Sequence, residues 1–192
     1  MTTAEWKYKI DNEDDIDKLG RLYIDFLLEM DPGYGMTVGI HGRDGDPRFY
    51  DDLLGHVSPA SWSQRMRGNQ LMLERLARID PTELSFEDRV DYRILKNRIQ
   101  LRSLEITELG GPKDPLTYIT GRGNTFSGLG ESFSRLLLRD YAPLLRRLQS
   151  FGVRCRQVPR YLDEAKESLS SKGVFPTATK KRIALTRLKG MT

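Results

Sequence analysis

Apolar residues between positions 16 and 30 recur every three or four positions, which is the spacing of one face of an α-helix. Acidic residues just before position 16 place negative charge at the positive end of this helix. Asp31-Pro32-Gly33 ends the pattern, because proline disfavours a helical conformation in the preceding residue and glycine permits a turn. The sequence therefore predicts a first helix with the stripe Ile16, Leu19, Leu22, Tyr23, Phe26, Leu27 and Met30.

Two longer helices are predicted to follow. A serine at position 58 or 61 can cap the second helix, which stops at Asp80-Pro81. Ser85, with an aspartate three residues later, resembles a capping box and begins a third helix that runs to about Leu109. The apolar residues of this third helix cover more than one stripe, so we expect it to be central and to contact neighbours on two sides.

The last third of the chain predicts shorter helices. One lies near residues 131–139, a second starts near Asp140 to Pro143 and breaks at Pro159, and a last one lies near residues 179–189. Two glycine-rich stretches, at 33–56 and 113–130, read as long loops, the first with one helical turn near Phe49 to Leu54. No strand-like alternation occurs. We predict an all-α fold, an irregular array of about six helices with two long glycine-rich loops in a single helical region over residues 1–192.

Length and hydropathy narrow the class of protein. The chain has 192 residues, which suits one domain or a large part of one. No apolar run approaches the roughly 18–20 residues needed to span a bilayer, and the N-terminus has no apolar segment after a basic one. We therefore expect no membrane contact and a cytoplasmic location.

Charge is unevenly distributed along the chain. The net charge is −7 over residues 1–56, +1 over residues 57–120 and +10 over residues 121–192. The two ends could face each other or lie solvated on opposite sides, or the basic end could contact an acidic partner or nucleic acid. The sequence lacks interleaved aromatic residues and a DNA-reading helix, which argues against nucleic acid. The basic residues in question are Arg146, Arg147, Arg154, Arg156, Arg160, Lys180, Lys181 and Arg182.

Histidine and cysteine, which most often carry proton transfer, zinc binding and nucleophilic catalysis, are scarce, with two histidines and one cysteine. Neither histidine is followed by the glutamate and second histidine of a helical zinc site, so we predict no metal site and no catalytic residue in this chain. His56 is expected to hydrogen-bond locally. His41 lies in a glycine-dense loop, where backbone can approach a ligand closely, and is predicted to bind substrate.

Cys155 and the acidic clusters have structural interpretations. Cys155 shares the apolar register of Leu148 and Phe151, which predicts a small core residue, although an exposed thiol beside two arginines could be reactive. Asp51-Asp52 and the acidic residues at 14–17 could bind a cation, but are more typical of solvated charge at a helix start.

The second glycine-rich stretch invites comparison with phosphate-binding loops. It lacks the Gly-Lys-Ser/Thr sequence and the preceding strand of such loops, so we predict a flexible connection between helices. Its polar side chains could line the floor of a cleft, and we predict that Tyr118 and Arg122 bind substrate together with His41.

Four segments in order resemble the N-terminal part of bacterial proteins of the domain of unknown function 885 family. They are DPGYGMTVGIHGRD, LERLARIDPTELSFEDRVDYRILKNRI, DPLTYI and RDYAPLLRRLQSFGVRCRQVPRYLDEAKESL. The similarity runs from about residue 16 to residue 170 and fades beyond Lys172. It rests on the ordered set, because no single motif is highly specific.

The family resembles helical zinc metallopeptidases of the gluzincin type. This resemblance implies an all-helical protein several times longer, with zinc ligands and a catalytic glutamate in a His-Glu motif of its C-terminal half. The chain has no His-Glu pair and no histidine after His56, so no catalytic residue carries over. The resemblance implies that its helices wall one side of a cleft and bring the His41 and Tyr118 loops toward a peptide substrate.

The leading hypothesis is an N-terminal scaffold of a zinc metallopeptidase-like protein that is not catalytic alone. Its partner would be the missing C-terminal remainder or another protein. One alternative is a stand-alone helical interaction module whose basic C-terminal third binds an acidic protein or RNA. Another is an enzyme that uses His41 with a nearby carboxylate as a base.

Overall fold

The computed structural model describes residues 3–121, 126–171 and 177–189, and these residues form ten α-helices, one short 3₁₀ helix and no β-strand. The predicted all-α fold is confirmed. In chain order the helices are α1 (Thr3–Asp11), α2 (Ile16–Met30), α3 (Gly33–Val38), α4 (Pro59–Leu76), α5 (Phe86–Thr107), α6 (Pro115–Thr120), α7 (Leu129–Leu138), α8 (Leu144–Cys155), α9 (Val158–Ser170) and α10 (Ala178–Lys189), and the 3₁₀ helix Gly111–Lys113 precedes α6.

Predicted helix boundaries agree with the observed caps. The Ser58 hydroxyl accepts from the Ser61 amide at 3.2 Å and begins α4. The Ser85 hydroxyl accepts from the Asp88 amide at 3.1 Å and begins α5. The predicted break near Pro159 is confirmed, because α8 ends at Cys155 and α9 begins at Val158.

The described residues form more helices than the predicted six because α1, α3 and α6 are short and because the segment that breaks near Pro159 gives two helices, α8 and α9. α1 presents only two buried apolar side chains, Trp6 and Ile10, and α3 and α6 have six residues each, too few for a periodic pattern. Between α3 and α4, residues 47–52 form hydrogen-bonded turns, and the Asp52 amide donates to the Arg48 carbonyl at 2.9 Å with helical spacing, which agrees with the single helical turn expected near Phe49 to Leu54.

Two apolar clusters form the core. The first joins α1, α2, α4 and α5 and includes Trp6, Phe26, Met72, Leu76 and Ile99. The second includes Val57, Trp62, Tyr118, Phe126 and Tyr161. α5 contacts α4 and α2, as its apolar stripes predict, but several of its other apolar residues remain exposed within the chain: Phe86, Val90, Ile94, Leu101 and Leu104.

α8 turns its polar face inward. Arg147, Ser150 and Arg154 are buried, whereas its leucines are exposed. Cys155 is also exposed, so the prediction that it is a core residue is wrong. The physical reason is that α8 packs on the irregular segment 50–57, whose backbone carbonyls require hydrogen-bond donors that leucine and cysteine cannot supply.

The acidic first third and the basic last third of the chain meet across this contact. Arg139, Arg146 and Arg160 donate to the carbonyls of Met36, Pro47 and Leu54, respectively. This favours the interpretation in which the two oppositely charged ends face each other, and the contacts are mainly to carbonyl groups.

Candidate functional site

His41 lies in a cluster of three side chains drawn from distant parts of the sequence. Its Nδ1 is 2.8 Å from Oδ1 of Asp51, and the Tyr141 hydroxyl donates to Oδ2 of the same carboxylate at 2.9 Å. The Tyr141 ring stacks on the imidazole with 3.8 Å between centroids and 7° between planes. Asp51 is only 1% exposed, so the carboxylate is held inside the protein between its two partners.

The chemistry of the cluster determines which nitrogen of His41 is available. A carboxylate accepts hydrogen bonds, so Nδ1 is the nitrogen that donates to Asp51, and in the neutral imidazole Nε2 is then the nitrogen with a lone pair. Burial, together with the hydrogen bond and charge of Asp51, raises the pKa of Tyr141, which keeps the phenol neutral and donating. No described residue hydrogen-bonds Nε2, which leaves it able to accept from a ligand.

The loop that carries His41 is fixed at several points. Gly39 ends α3 with a φ of 78°, in the left-handed region that glycine adopts readily. The Tyr50 amide donates to the His41 carbonyl at 3.0 Å, which closes the loop between His41 and Asp51. From α8, Ser150 donates to an Asp52 carboxylate oxygen at 2.5 Å. These contacts position the imidazole on a constrained backbone.

Arg154 binds the backbone of the same loop from the protein interior. It is fully buried and donates to the carbonyls of Asp51 at 2.7 Å, Ser132 at 2.8 Å and Tyr50 at 3.1 Å. Burial lowers the pKa of Arg154, and the charge of Asp51 is the main influence that opposes this effect. The guanidinium therefore joins α7, α8 and the His41 loop through three neutral acceptors.

His56 was expected to hydrogen-bond locally, but its side-chain partners lie on α9, more than one hundred residues later in the chain. Its Nδ1 lies 2.8 Å from Oε1 of Glu164 and 2.7 Å from Nη1 of Arg160. The second Glu164 oxygen accepts from the Val57 amide at 2.7 Å. Burial raises the pKa of Glu164, but the hydrogen bonds from Val57, His56 and Arg160 together outweigh it and leave the pKa below its usual value.

This lowered pKa predicts how Glu164 stabilises the fold as pH changes. The contribution is present above the unfolded pKa of 4.5 and is lost as pH falls through the lower folded value. We expect Glu164→Gln to cost about 1 kcal/mol at pH 7 and progressively less below pH 4.5, measured by urea unfolding. Glu167→Gln, an exposed change on the same helix, should show no such pH dependence, and equal curves for the two variants would contradict the assignment.

The remaining predicted site residues lie elsewhere. Tyr118 is buried in the second apolar cluster, and its hydroxyl donates to the Pro112 carbonyl at 2.6 Å. Burial raises its pKa to about 12. No described contact joins Tyr118 to His41, and Arg122 lies outside the described residues. Their substrate-binding role stays a prediction.

Two residues of the cluster, Asp51 and Tyr141, are not predicted by the sequence analysis. Asp51 was expected to be solvated charge at a helix start, but it is buried and paired with His41. Its position ten residues after His41, across a glycine-rich turn, is the signal that could have suggested the pair. Tyr141 follows His41 by one hundred residues, and no local pattern connects them.

A second buried polar group lies between the two apolar clusters. The Arg65 guanidinium lies against the rings of both Trp62 and Phe126, with Cζ 4.6 Å and 4.8 Å from the ring centroids, and it lines a cavity of about 40 Å³ together with Asp31. Burial raises the pKa of Asp31 and lowers that of Arg65, while each charge opposes the shift of the other. A cavity of this size holds one to a few water-sized groups, so we regard it as structural.

The basic residues of the last third do not form one continuous surface. Arg147 and Arg154 are buried, and Arg160 is bound to Glu164 and to the Leu54 carbonyl. No contact specifically favours an acidic protein or RNA, and that alternative stays a prediction.

Among the residues that the structure describes, no group of three or more histidine, cysteine, aspartate or glutamate side chains could hold a metal ion. Within the same residues, no helix is both long and apolar enough to cross a membrane.

The fold and the site define an all-α protein with a histidine, carboxylate and tyrosine cluster set in an irregular loop. Over residues 32–192 the sequence matches the model of a family described as bacterial protein of unknown function (DUF885). The chain therefore belongs to this family, as the resemblance indicated. The expected fading of similarity beyond Lys172 is wrong, because the match continues to residue 192. It begins at residue 32 rather than near residue 16.

A solved structure has a similar fold. It is that of a candidate lipoprotein of unknown function from Shewanella oneidensis, with a TM-score of 0.65 and 17% sequence identity over 92% of this chain. The similarity covers 35% of the other chain, so this chain spans about a third of the length of that neighbour. At this identity the comparison shows the fold alone. No curated protein sequence matches the chain.

Proposed function

We propose that the chain is the N-terminal helical portion of a larger zinc metallopeptidase-like protein, in which it walls one side of a cleft and is not catalytic alone. The observation that carries this proposal is the coverage of the solved neighbour: 92% of this chain corresponds to 35% of the longer one. Such a relation fits a segment that works as part of a larger helical body. The family resemblance adds the peptidase chemistry to this proposal.

Zinc has no set of ligands among the residues described, because none of them form a group of three or more suitable side chains. The proposal therefore assigns no zinc ligand to the described residues of this chain. In the proposed assembly the C-terminal remainder supplies the zinc ligands and the catalytic glutamate.

His41 supplies the proposed contact with a peptide substrate. Its Nε2 keeps a lone pair, and the amide N–H groups of a peptide are hydrogen-bond donors of the matching kind. Asp51 holds the ring through one carboxylate oxygen, and Tyr141, which donates to the other oxygen, stacks on the ring, so little ordering is required when substrate binds. Arg122 stays a predicted substrate contact, whereas Tyr118 is buried with its hydroxyl bonded to the Pro112 carbonyl and adds nothing to this proposal.

The proposal is tested by assaying peptide hydrolysis in two forms of the protein. The purified chain loaded with zinc should show no turnover, whereas the chain co-expressed with the remainder of a full-length family member should show turnover that a chelator abolishes. Chelator-sensitive hydrolysis by the chain alone would overturn the proposal.

In the active complex, we expect His41→Gln to raise KM about tenfold with a smaller change in kcat, since it removes one hydrogen bond to bound substrate. His56→Gln is the matched control, because His56 is the other histidine of the chain and its side chain is engaged with Glu164 and Arg160 on α9. Equal kinetics for the two variants would show that His41 does not meet substrate.

The location of the protein is a further part of the proposal. The cytoplasmic location expected from the sequence is retained as a proposal, and the lipoprotein description belongs to the Shewanella oneidensis protein. Fractionation of cells that express the tagged full-length protein decides between cytoplasm and envelope.

A further inference from the structure

The outer surface of the α7–α8 pair is apolar and uncovered within the described chain. Leu138 is 82% exposed and Leu145 is 70% exposed, which is unusual for large aliphatic side chains on neighbouring helices. We call this surface the outer leucine face, and it consists of Leu137, Leu138, Leu144, Leu145 and Leu148.

Contacts between the two helices place these leucines on one surface. The Phe133 and Phe151 rings meet at 4.9 Å between centroids, which aligns α7 and α8 side by side. Leu137 lies one turn after Phe133, and Leu148 lies one turn before Phe151, so helical spacing continues the same face on both helices. The face is therefore contiguous across the pair.

The buried side of α8 explains why the leucines point outward. Arg147 donates to the carbonyls of Leu136 and Leu137 near the end of α7, and Arg154 donates to the carbonyls of the His41 loop. These contacts fix the rotation of α8 about its axis, because turning the leucines inward would leave several buried carbonyls without donors. The leucines thus form an apolar outer face that the described part of the fold does not bury.

The surface also has room for a closely packed helix. A Cβ atom on Gly152 would meet no atom within 4 Å, so the face continues past Leu148 over an open position to the exposed Cys155. Leu145, Leu148, Gly152 and Cys155 follow the three- and four-residue spacing of a helix-packing seam. The exposed Arg156 beside the seam favours an acidic residue at the rim of the partner.

We propose that the outer leucine face is the docking surface for an apolar helix in the C-terminal remainder of the full-length protein. The occupant follows from the solved neighbour, which has nearly two thirds of its chain outside the part that this chain matches. This inference rests on the proposed division of the protein into two parts, and it adds the surface through which they join.

Cys155 provides a built-in reporter, because it is the chain's single cysteine and lies on the seam. The chain is co-expressed with a tagged remainder whose cysteines are replaced by serine, and the rate of Cys155 reaction with a disulfide reagent is measured. We expect co-purification of the two polypeptides and at least a tenfold slower thiol reaction than in the isolated chain. Absence of a complex, or a complex in which Cys155 reacts at the free rate, would overturn the proposal.

Two variants test the leucines directly. Leu138→Glu and Leu145→Glu change the most exposed side chains of the face, so the isolated variants should unfold at nearly the same urea concentration as the parent. Each should weaken binding of the remainder at least tenfold, whereas Tyr8→Glu, an exposed aromatic change on α1, should leave it unchanged.

Other outcomes separate this inference from the proposed function. Self-association of the chain alone that Leu145→Glu abolishes would assign the face to a second copy and overturn the docking proposal. A complex with protected Cys155 but no peptidase activity would support docking and contradict the peptidase proposal. Peptidase activity that Leu145→Glu does not change, in a complex whose Cys155 reacts freely, would support the peptidase proposal and contradict docking on this face.

Discussion

Replacing Arg154 with methionine is expected to lower the free energy of unfolding by about 3–5 kcal/mol, because three buried carbonyl groups lose a charged donor at once. Methionine keeps much of the length and apolar volume of the side chain, so the loss reports hydrogen bonding rather than a large cavity. Urea unfolding followed by circular dichroism measures the change. A loss of this size is a large part of the stability of an ordinary domain.

Arg156→Met is the matched control for this prediction. It makes the same chemical change two residues away on an exposed position, where surface substitutions usually fall within about 0.5 kcal/mol. Arg154→Lys should lie between the two, because one ammonium cannot reproduce the planar arrangement of three guanidinium donors. If Arg154→Met and Arg156→Met lost equal stability, the loop would not depend on this arginine.

The same residue shows why the orientation of α8 could not be read from its sequence. Apolar periodicity correctly predicts that residues 144–155 form a helix, but the usual assignment of leucines to the core inverts its two faces. The deciding factor is the set of backbone carbonyl groups in residues 50–57, about a hundred positions earlier, which accept hydrogen bonds from polar side chains of α8 and its C-terminal end. α2 has no such neighbour, and its predicted stripe is buried at Ile16, Leu19, Tyr23 and Phe26.

The candidate site, like α8, could be predicted from the sequence only in part. The glycine-dense loop and the scarcity of histidines single out His41 without any structure. Asp51 and Tyr141 were not connected with it, because burial of a carboxylate depends on tertiary partners that no local spacing encodes. The sequence therefore identifies His41 as the candidate binding group, and only the fold shows that Asp51 and Tyr141 hold its ring.

Adding one methyl group at Gly68 is expected to destabilise the protein by about 1–3 kcal/mol, although alanine is the better helix former. Gly68 lies on α4 where α2 crosses it, and a Cβ there would come within 3 Å of three carbon atoms of the Phe26 ring. Phe26 is buried against Trp6 with 5.5 Å between ring centroids, so the ring has little freedom to move aside. The midpoint of urea unfolding at constant slope measures the effect.

Gly20→Ala on α2 is the matched control and should change stability in the opposite direction. A Cβ at Gly20 meets no atom within 4 Å, so the substitution should stabilise the helix by about 0.5–1 kcal/mol. Both substitutions add the same methyl group inside a helix, and the difference between their unfolding free energies therefore isolates the close approach of α2 to α4. If Gly68→Ala stabilised the protein as Gly20→Ala does, the Phe26 ring would not pack against α4 at that point.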